Sequence, residues 1–240
     1  QRQYIRNTRF KHWGNAGSAS PIGRVPVIQV GNNVDPFDGL TLSDVHVDGN
    51  RGSFLSIDPA GADFGADGGM HNIAIRGNTT NVTLTNVTST FSAGAGLGLD
   101  MDADRGVATD APDYNISNIL AENCNFNDNR YHGMFGAYCR NVKLLNCNVL
   151  RNGLTLNGET DVLHGDYGAW TVGNGFYARG VDIETYGSYS SVTDVSFIGG
   201  NYKGNANGAI QFHLSYIHSA NNVTARDMTI RGVSVDDAVP

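Results

Sequence analysis

The sequence predicts an all-β chain folded as a parallel solenoid of about seven coils or more, with loop excursions, and three observations lead there. A short segment recurs along the chain, its apolar residues alternate with period two, and an Asn, Asp or Gly punctuates each copy. The recurrence is plainest where Asn118-Ile119-Leu120-Ala121-Glu122-Asn123-Cys124-Asn125-Phe126 is followed 23 residues later by Asn141-Val142-Lys143-Leu144-Leu145-Asn146-Cys147-Asn148-Val149. Ile119 matches Val142, Ala121 matches Leu144 and Phe126 matches Val149, while Asn129 and Asn152 close the two units.

The same frame fits Leu40, Leu42, Asp44, Val45 and Val47, then Val82, Leu84, Asn86 and Val87, then Val223, Ala225, Asp227, Met228 and Ile230. Weaker copies centre on Asn7 and Gly199. Expected turn residues are therefore Asn7, Asp44, Asn86, Asn123, Asn146, Gly199 and Asp227, spaced 37, 42, 37, 23, 53 and 28 residues apart. A second strand type opens on Gly and falls between the copies: Gly96 to Met101, Gly133 to Gly136, Gly175 to Arg179, and Gly208 to His213. A 23-residue unit with no helical apolar period cannot bury its own inner face, so each coil must stack on the next through parallel strand pairing. Asn and Gly suit the corners because they tolerate the left-handed backbone that tight turns need. A propeller or sandwich would show antiparallel hairpin signals at regular spacing, which this irregular repeat lacks.

The 240 residues are 40% hydrophobic and 16% charged, enough apolar content to fill one core, and they are read as one domain, 1–240. Sixteen Lys plus Arg stand against twenty-three Asp plus Glu, so no basic surplus exists for a phosphate backbone and nucleic acid is not an expected partner. No apolar stretch approaches the roughly 18 residues of a membrane span, and membrane insertion is not expected. The opening Gln1-Arg2-Gln3-Tyr4-Ile5 carries no leader pattern, and no capping helix shows at either end, so a core excised from a longer chain is expected. Cys124 and Cys147 share one repeat position and read as packing residues, with Cys139 left over.

Chemistry is expected on the Gly-initiated strand face, flanked by the excursions Asp102 to Asp113 and Leu154 to Gly173. If Leu97, Leu99 and Met101 point inward, then Gly98, Asp100 and Asp102 point outward; the same alternation places Tyr177 and Arg179 outside, and Gln211 and His213 outside. Paired carboxylates on a groove suit glycoside hydrolysis, one protonating the leaving oxygen while the other activates water or attacks the anomeric carbon. Asp100 and Asp102 are the first candidates, with Glu159, Asp161 and Asp166 in reserve, and their spacing leaves the stereochemical course open. Tyr131, His132, His164, Trp170, Tyr177, Arg179, Gln211 and His213 are the candidates for sugar stacking and hydroxyl binding. No metal site is assigned and no cofactor is required; the run Asp100 to Asp104 leaves calcium as an option, although Arg105 and Ala111 stand where an EF-hand needs Gly and Glu.

With the repeat and its Asn and Gly punctuation established, the chain resembles right-handed parallel β-helix proteins of the pectate-lyase-like superfamily. Around Val45-His46-Val47-Asp48-Gly49-Asn50-Arg51 and the Gly-initiated repeats it is most similar to the central domain of bacteriophage tailspikes and capsule depolymerases. That resemblance implies an extracellular endo-glycosidase, on a virion tail if phage-derived, that binds and cleaves bacterial capsule, O-antigen or exopolysaccharide as a homotrimer. A second resemblance is to mannuronan C-5-epimerases, whose Tyr-Gly-Phe-Asp-Pro-His and Asn-Asp-Arg-His-Gly-Phe segments align with Leu97 to Asp102 and Asn129 to Met134. The Asp100 and His132-Gly133 positions match, whereas the family's tyrosine, first histidine and arginine are Leu97, Asp102 and Tyr131 here, with Arg130 adjacent. It implies uronate lyase or epimerase chemistry as the alternative. A non-catalytic glycan-binding adhesin or structural spike is the third reading.

Overall fold

A computed structural model of the chain describes residues 3–13, 26–32, 35–49, 71–92, 94–100, 116–129, 131–153, 179–185, 191–206, 208–213 and 224–236. Twenty strands, β1 to β20 in chain order, lie in these segments and form three wholly parallel sheets. The first holds β1 (Gln3–Arg6), β4 (Phe37–Ser43), β7 (Thr79–Thr85), β10 (Ile116–Glu122), β13 (Cys139–Leu145), β16 (Ser191–Ile198) and β19 (Thr224–Arg231). The second holds β2 (Arg9–Trp13), β5 (His46–Gly49), β8 (Thr88–Thr90), β11 (Asn125–Asn127), β14 (Asn148–Leu150), β17 (Asn201–Lys203) and β20 (Ser234–Asp236). The third holds β3 (Ile28–Val30), β6 (Ile73–Arg76), β9 (Leu97–Asp100), β12 (Met134–Gly136), β15 (Val181–Glu184) and β18 (Ile210–His213). The chain visits the sheets in turn, and each strand pairs with its counterpart one coil away. This is a right-handed parallel β-helix.

Period two decides what fills the interior. On the first sheet Leu40 and Leu42, Val82 and Leu84, Ile119 and Ala121, Val142 and Leu144, and Val195 and Phe197 stack in register and are buried. The second sheet adds Val47, Phe126, Val149 and Tyr202, and the third adds paired inward residues from Ile28 and Val30 to Val181 and Ile183. Each large side chain buried this way contributes roughly 1.5–3 kcal/mol relative to exposure, so the stacked coils supply the stability that one coil cannot. Cys124 and Cys147 sit buried and free at the corner of this core.

The corner between the first and second sheets is built identically in every coil. Asn7, Asp44, Asn86, Asn123, Asn146, Gly199 and Gly232 take φ between 50° and 64°. The N–H groups of the first six continue the ladder by donating to the next coil, as from Asn123 to Leu145 O at 2.9 Å and from Asn146 to Ile198 O at 2.8 Å. Six of the seven expected corner residues hold these places. The seventh is Gly232, not Asp227, which lies inside β19 in a second left-handed column with Asn81, Asn118, Asn141 and Asp194. Both columns favour Asn or Asp, so Asp227 meets the corner's chemical requirement from the other column. The third Gly-initiated strand also moves: β15 begins after Gly180, so Gly180 takes the place expected of Gly175, and residues 175–178 lie outside the described residues.

A buried amide column runs along the second corner. The side chain of Asn129 donates to Asn152 Oδ1 at 2.9 Å, and that of Asn152 donates to Asn205 Oδ1 at 2.9 Å and Phe126 O at 2.9 Å. The Asn129 N–H also donates to Asn152 Oδ1 at 3.0 Å. All three asparagines are fully buried, so each bond satisfies a group that would otherwise be stranded from water. A second ladder, Asn201 to Asn148 to Asn125, runs along the outer side of the second sheet.

Coil length varies only where the third sheet begins and ends. The first corner always has two residues, whereas the links into and out of the third sheet range from the pair 77–78 to the thirty residues 151–180. Expected outcomes separate the two amide ladders. Asn152→Ala should lower unfolding stability by roughly 2–4 kcal/mol, because it strands two Asn129 donors and the Phe126 carbonyl, whereas Asn148→Ala should cost under about 1 kcal/mol. Urea titration followed by circular dichroism measures both.

Candidate functional site

The outer face of the third sheet is the surface that the variable links border. Register puts Gln29, Ala74, Gly98, Phe135, Asp182 and Gln211 in one outward row across β3, β6, β9, β12, β15 and β18. Two residues further along the strands Arg76 pairs in register with Asp100, and Glu184 with His213. The face is not uniformly open. Its middle is covered, with His71, Phe135 and Tyr138 buried and Ala95, Phe135, Ala137 and Tyr138 forming a second apolar cluster outside the main core. At β15 and β18 Glu184, Gln211 and His213 are partly exposed.

Two histidines organise this face by the same device. His71 and His132 each precede the residue that leads into a strand, and each ring turns toward the following coil. His71 Nδ1 accepts the Ala95 N–H at 3.0 Å, and His132 Nδ1 accepts the Arg179 N–H at 3.1 Å. An accepting Nδ1 places the proton of a neutral imidazole on Nε2. The His71 ring lies over Gly98, where any Cβ would collide with it. The His132 ring lies beside Asp182, with Nε2 3.8 Å from Oδ2. Phe135 stands between the two rings, 6.2 Å from His71 and 6.0 Å from His132 and nearly parallel to both, while Tyr131 leans on His132 at 3.8 Å.

The electrostatics concentrate on β15. Burial, reinforced by the neighbouring Glu184, pushes the Asp182 carboxyl up to about 7, against the opposing pull of Arg179 and His213. Burial alone pushes Glu184 up to about 7. Burial holds His132 well below the ordinary histidine range, and the neighbouring His71 and Arg179 reinforce it, so its ring is neutral. Glu184 Oε2 lies 3.3 Å from His213 Nδ1. Among the described residues no group of three or more His, Cys, Asp or Glu is placed to hold a metal ion.

The structure therefore brings Tyr131, His132, Arg179, Gln211 and His213 together around β15. The Asp100 backbone belongs to β9, two strands away, and its side chain lies outside the described residues, as do Asp102, Glu159, Asp161, His164, Asp166, Trp170 and Tyr177. His132 was expected to line an open groove, but it is wholly buried, because its bond to the Arg179 N–H folds the ring against the sheet. Asp182 and Glu184 were missed. The signal was present: Gly180-Val181-Asp182-Ile183-Glu184 repeats the Gly-initiated frame with a carboxylate at both outward positions, five residues beyond the glycine taken as its start.

No family model matches the chain, and no curated protein sequence matches it. Two solved structures are similar to it, both crystal structures of the periplasmic alginate epimerase AlgG, carrying one and two substitutions. Each is 11% identical and covers 97% of this chain, with TM-scores of 0.49 and 0.39. This chain spans 39% and 47% of theirs, less than half of their length.

The raised Asp182 carboxyl carries a stability signature. Its folded pKa exceeds the unfolded value of 3.8, so the stability associated with its proton is fully present below about pH 4 and is lost as pH rises toward about 7. Asp182→Asn imitates the protonated acid. It should match the wild type near pH 4 and exceed it by a few kcal/mol, on the order of the shift, at pH 8. Melting temperatures of both proteins across that range measure the difference.

Proposed function

We propose that this chain is the β-helix core of an extracellular endo-glycosidase of the tailspike depolymerase kind, which binds and cleaves a bacterial surface polysaccharide as a homotrimer. One observation carries the reading: Asp182 and Glu184 occupy successive outward positions of β15, both with carboxyls raised to about 7. Near neutral pH one of such a pair can hold the proton that the leaving oxygen needs while the other is ionised. Outward positions i and i+2 on a strand lie about 7 Å apart, a distance at which two carboxyls can flank a glycosidic bond. Arg179, Gln211 and His213 stand beside the pair as groups for hydroxyls. Asp100 and Asp102, the first candidates from the sequence, become the reserve carboxylates. The chemistry requires no cofactor.

A second reading, elimination or C-5 epimerisation of a uronate polymer, draws on the contact of Tyr131 with a neutral His132 next to Arg179. Proton abstraction beside a uronate needs a base together with a cation that neutralises the carboxylate. The carboxyls of Asp182 and Glu184 weigh against it, because in their ionised form they would repel a uronate bound over β15.

The deciding experiment incubates the protein with bacterial capsular, O-antigen and exopolysaccharides and with alginate. New reducing ends without unsaturated-uronate absorbance are expected, and Asp182→Asn and Glu184→Gln should each lower kcat by about 100-fold or more while glycan binding persists. Absorbance would establish elimination instead. Binding by the wild type without any product would make the chain an adhesin.

A further inference from the structure

We propose that Cys124 and Cys147 are a modification site: they form a disulfide that ties two neighbouring coils together, made by exchange with a small-molecule disulfide of the glutathione type while the chain folds. The inference is independent of the glycosidase reading.

The repeat places the two residues. Each follows the left-handed asparagine of the first corner, Asn123 or Asn146, and Asn125 pairs in register with Asn148. Bonds on both sides hold the alignment, from the Asn123 N–H to Leu145 O at 2.9 Å and from the Asn148 N–H to Cys124 O at 2.8 Å. The cysteines are thus consecutive members of one axial column that reads Val45, Val87, Cys124, Cys147, Gly200 and Val233. Neighbouring coils stack about 4.8 Å apart, inside the roughly 4.4–6.8 Å that a disulfide spans between Cα atoms.

The thiols have little to lose. Both side chains are fully buried, and the structure describes the reduced pair. Cys124 Sγ donates toward Glu122 O at 3.4 Å and Leu84 O at 3.5 Å, and Cys147 Sγ toward Ala121 O at 3.4 Å and Leu145 O at 3.5 Å. The two thiols also hydrogen-bond to each other. An S–H is a weak donor, so oxidation forfeits little of this bonding. Gly200 brings no side chain over Cys147, which leaves Cys124 as its side-chain neighbour in the column. Valine meets the packing requirement of this position in two earlier coils, so packing alone does not call for two sulfurs in succession. Cys139 is the internal comparison: it is equally buried but pairs with Ile116, and burial pushes its thiol up to about 12.

In the exchange one cysteine thiolate attacks a sulfur of the small disulfide, which expels one small thiolate and leaves a mixed disulfide. The thiolate of the other cysteine attacks the protein sulfur of that bond and expels the second. The protein gives up two electrons and two protons, and the small disulfide becomes two thiols. Neither cysteine is accessible in the closed coil, so the exchange belongs to the open chain, before stacking seals the column. The product joins residues 23 positions apart and encloses β11, β12 and β13, which restricts the unfolded chain and favours the registered one.

To test this, the full chain is unfolded in urea with reductant and refolded by dilution, once with reduced and oxidised glutathione and once with dithiothreitol. Remaining thiols are alkylated in denaturant and the peptides mapped by mass spectrometry. After glutathione, a peptide linking Cys124 to Cys147 is expected with Cys139 alone alkylated, and a urea midpoint about 1 M above that of the dithiothreitol sample. Cys124→Val, which installs the residue that Val45 and Val87 supply in earlier coils, should fold, leave Cys139 and Cys147 both alkylated, and show one midpoint in both buffers. Three alkylated cysteines after glutathione, a link that includes Cys139, or a glutathione sample no more stable than the reduced one overturns the inference.

Discussion

Everything in this molecule depends on the hydrogen-bonded registration of each coil on the next. The parallel ladder joins residues 23 to 53 positions apart in sequence, and it survives the corners because left-handed Asn, Asp and Gly residues keep their N–H groups aimed at the neighbouring coil. Once that registration is set, side chains of equal rank become axial columns. An apolar column packs, an amide column satisfies its own donors and acceptors, and a column of mixed groups becomes a surface on which chemistry can be written. The buried line of Asn129, Asn152 and Asn205 and the outward row through Gly98, Phe135 and Asp182 are two outcomes of one constraint.

Much of this was legible in the residues. The inward alternation of Ile119, Ala121 and Phe126 and its repetition 23 residues on identified the solenoid, since a period of two combined with an unpaired inner face admits few other solutions. Six of seven corner residues could be read because the left-handed conformation restricts their chemistry so strongly. The last could not, because Asp227 satisfies the same restriction in a different column. The site was harder for a related reason. Glycines near residue 175 and at 180 compete for one role, and only pairing with Met134 fixes which begins the strand. The burial of His132 was beyond sequence altogether. Nothing local to Tyr131-His132-Gly133 says that the imidazole will accept a hydrogen bond from a residue 47 positions later.

The site also illustrates how a rigid scaffold accommodates groups that oppose folding. Asp182 and Glu184 sit on a strand whose inward residues Val181 and Ile183 are wholly buried, so their backbone position is dictated by the core beneath. Side chains that would prefer water are held where water is scarce, and their acidity changes accordingly. The stacked coils supply that constraint without any contribution from the carboxyls themselves.

The constant two-residue corner between the first and second sheets has an evolutionary consequence. One edge of the solenoid behaves as a spine whose geometry is indifferent to what the chain does at the other two, so segments of any length can be exchanged beside the third sheet without disturbing the stacking of the coils. The strands of the third sheet and the segments that link them are then inherited separately. A lineage built on this plan can exchange those segments while the stacked strands pass unchanged from ancestor to descendant.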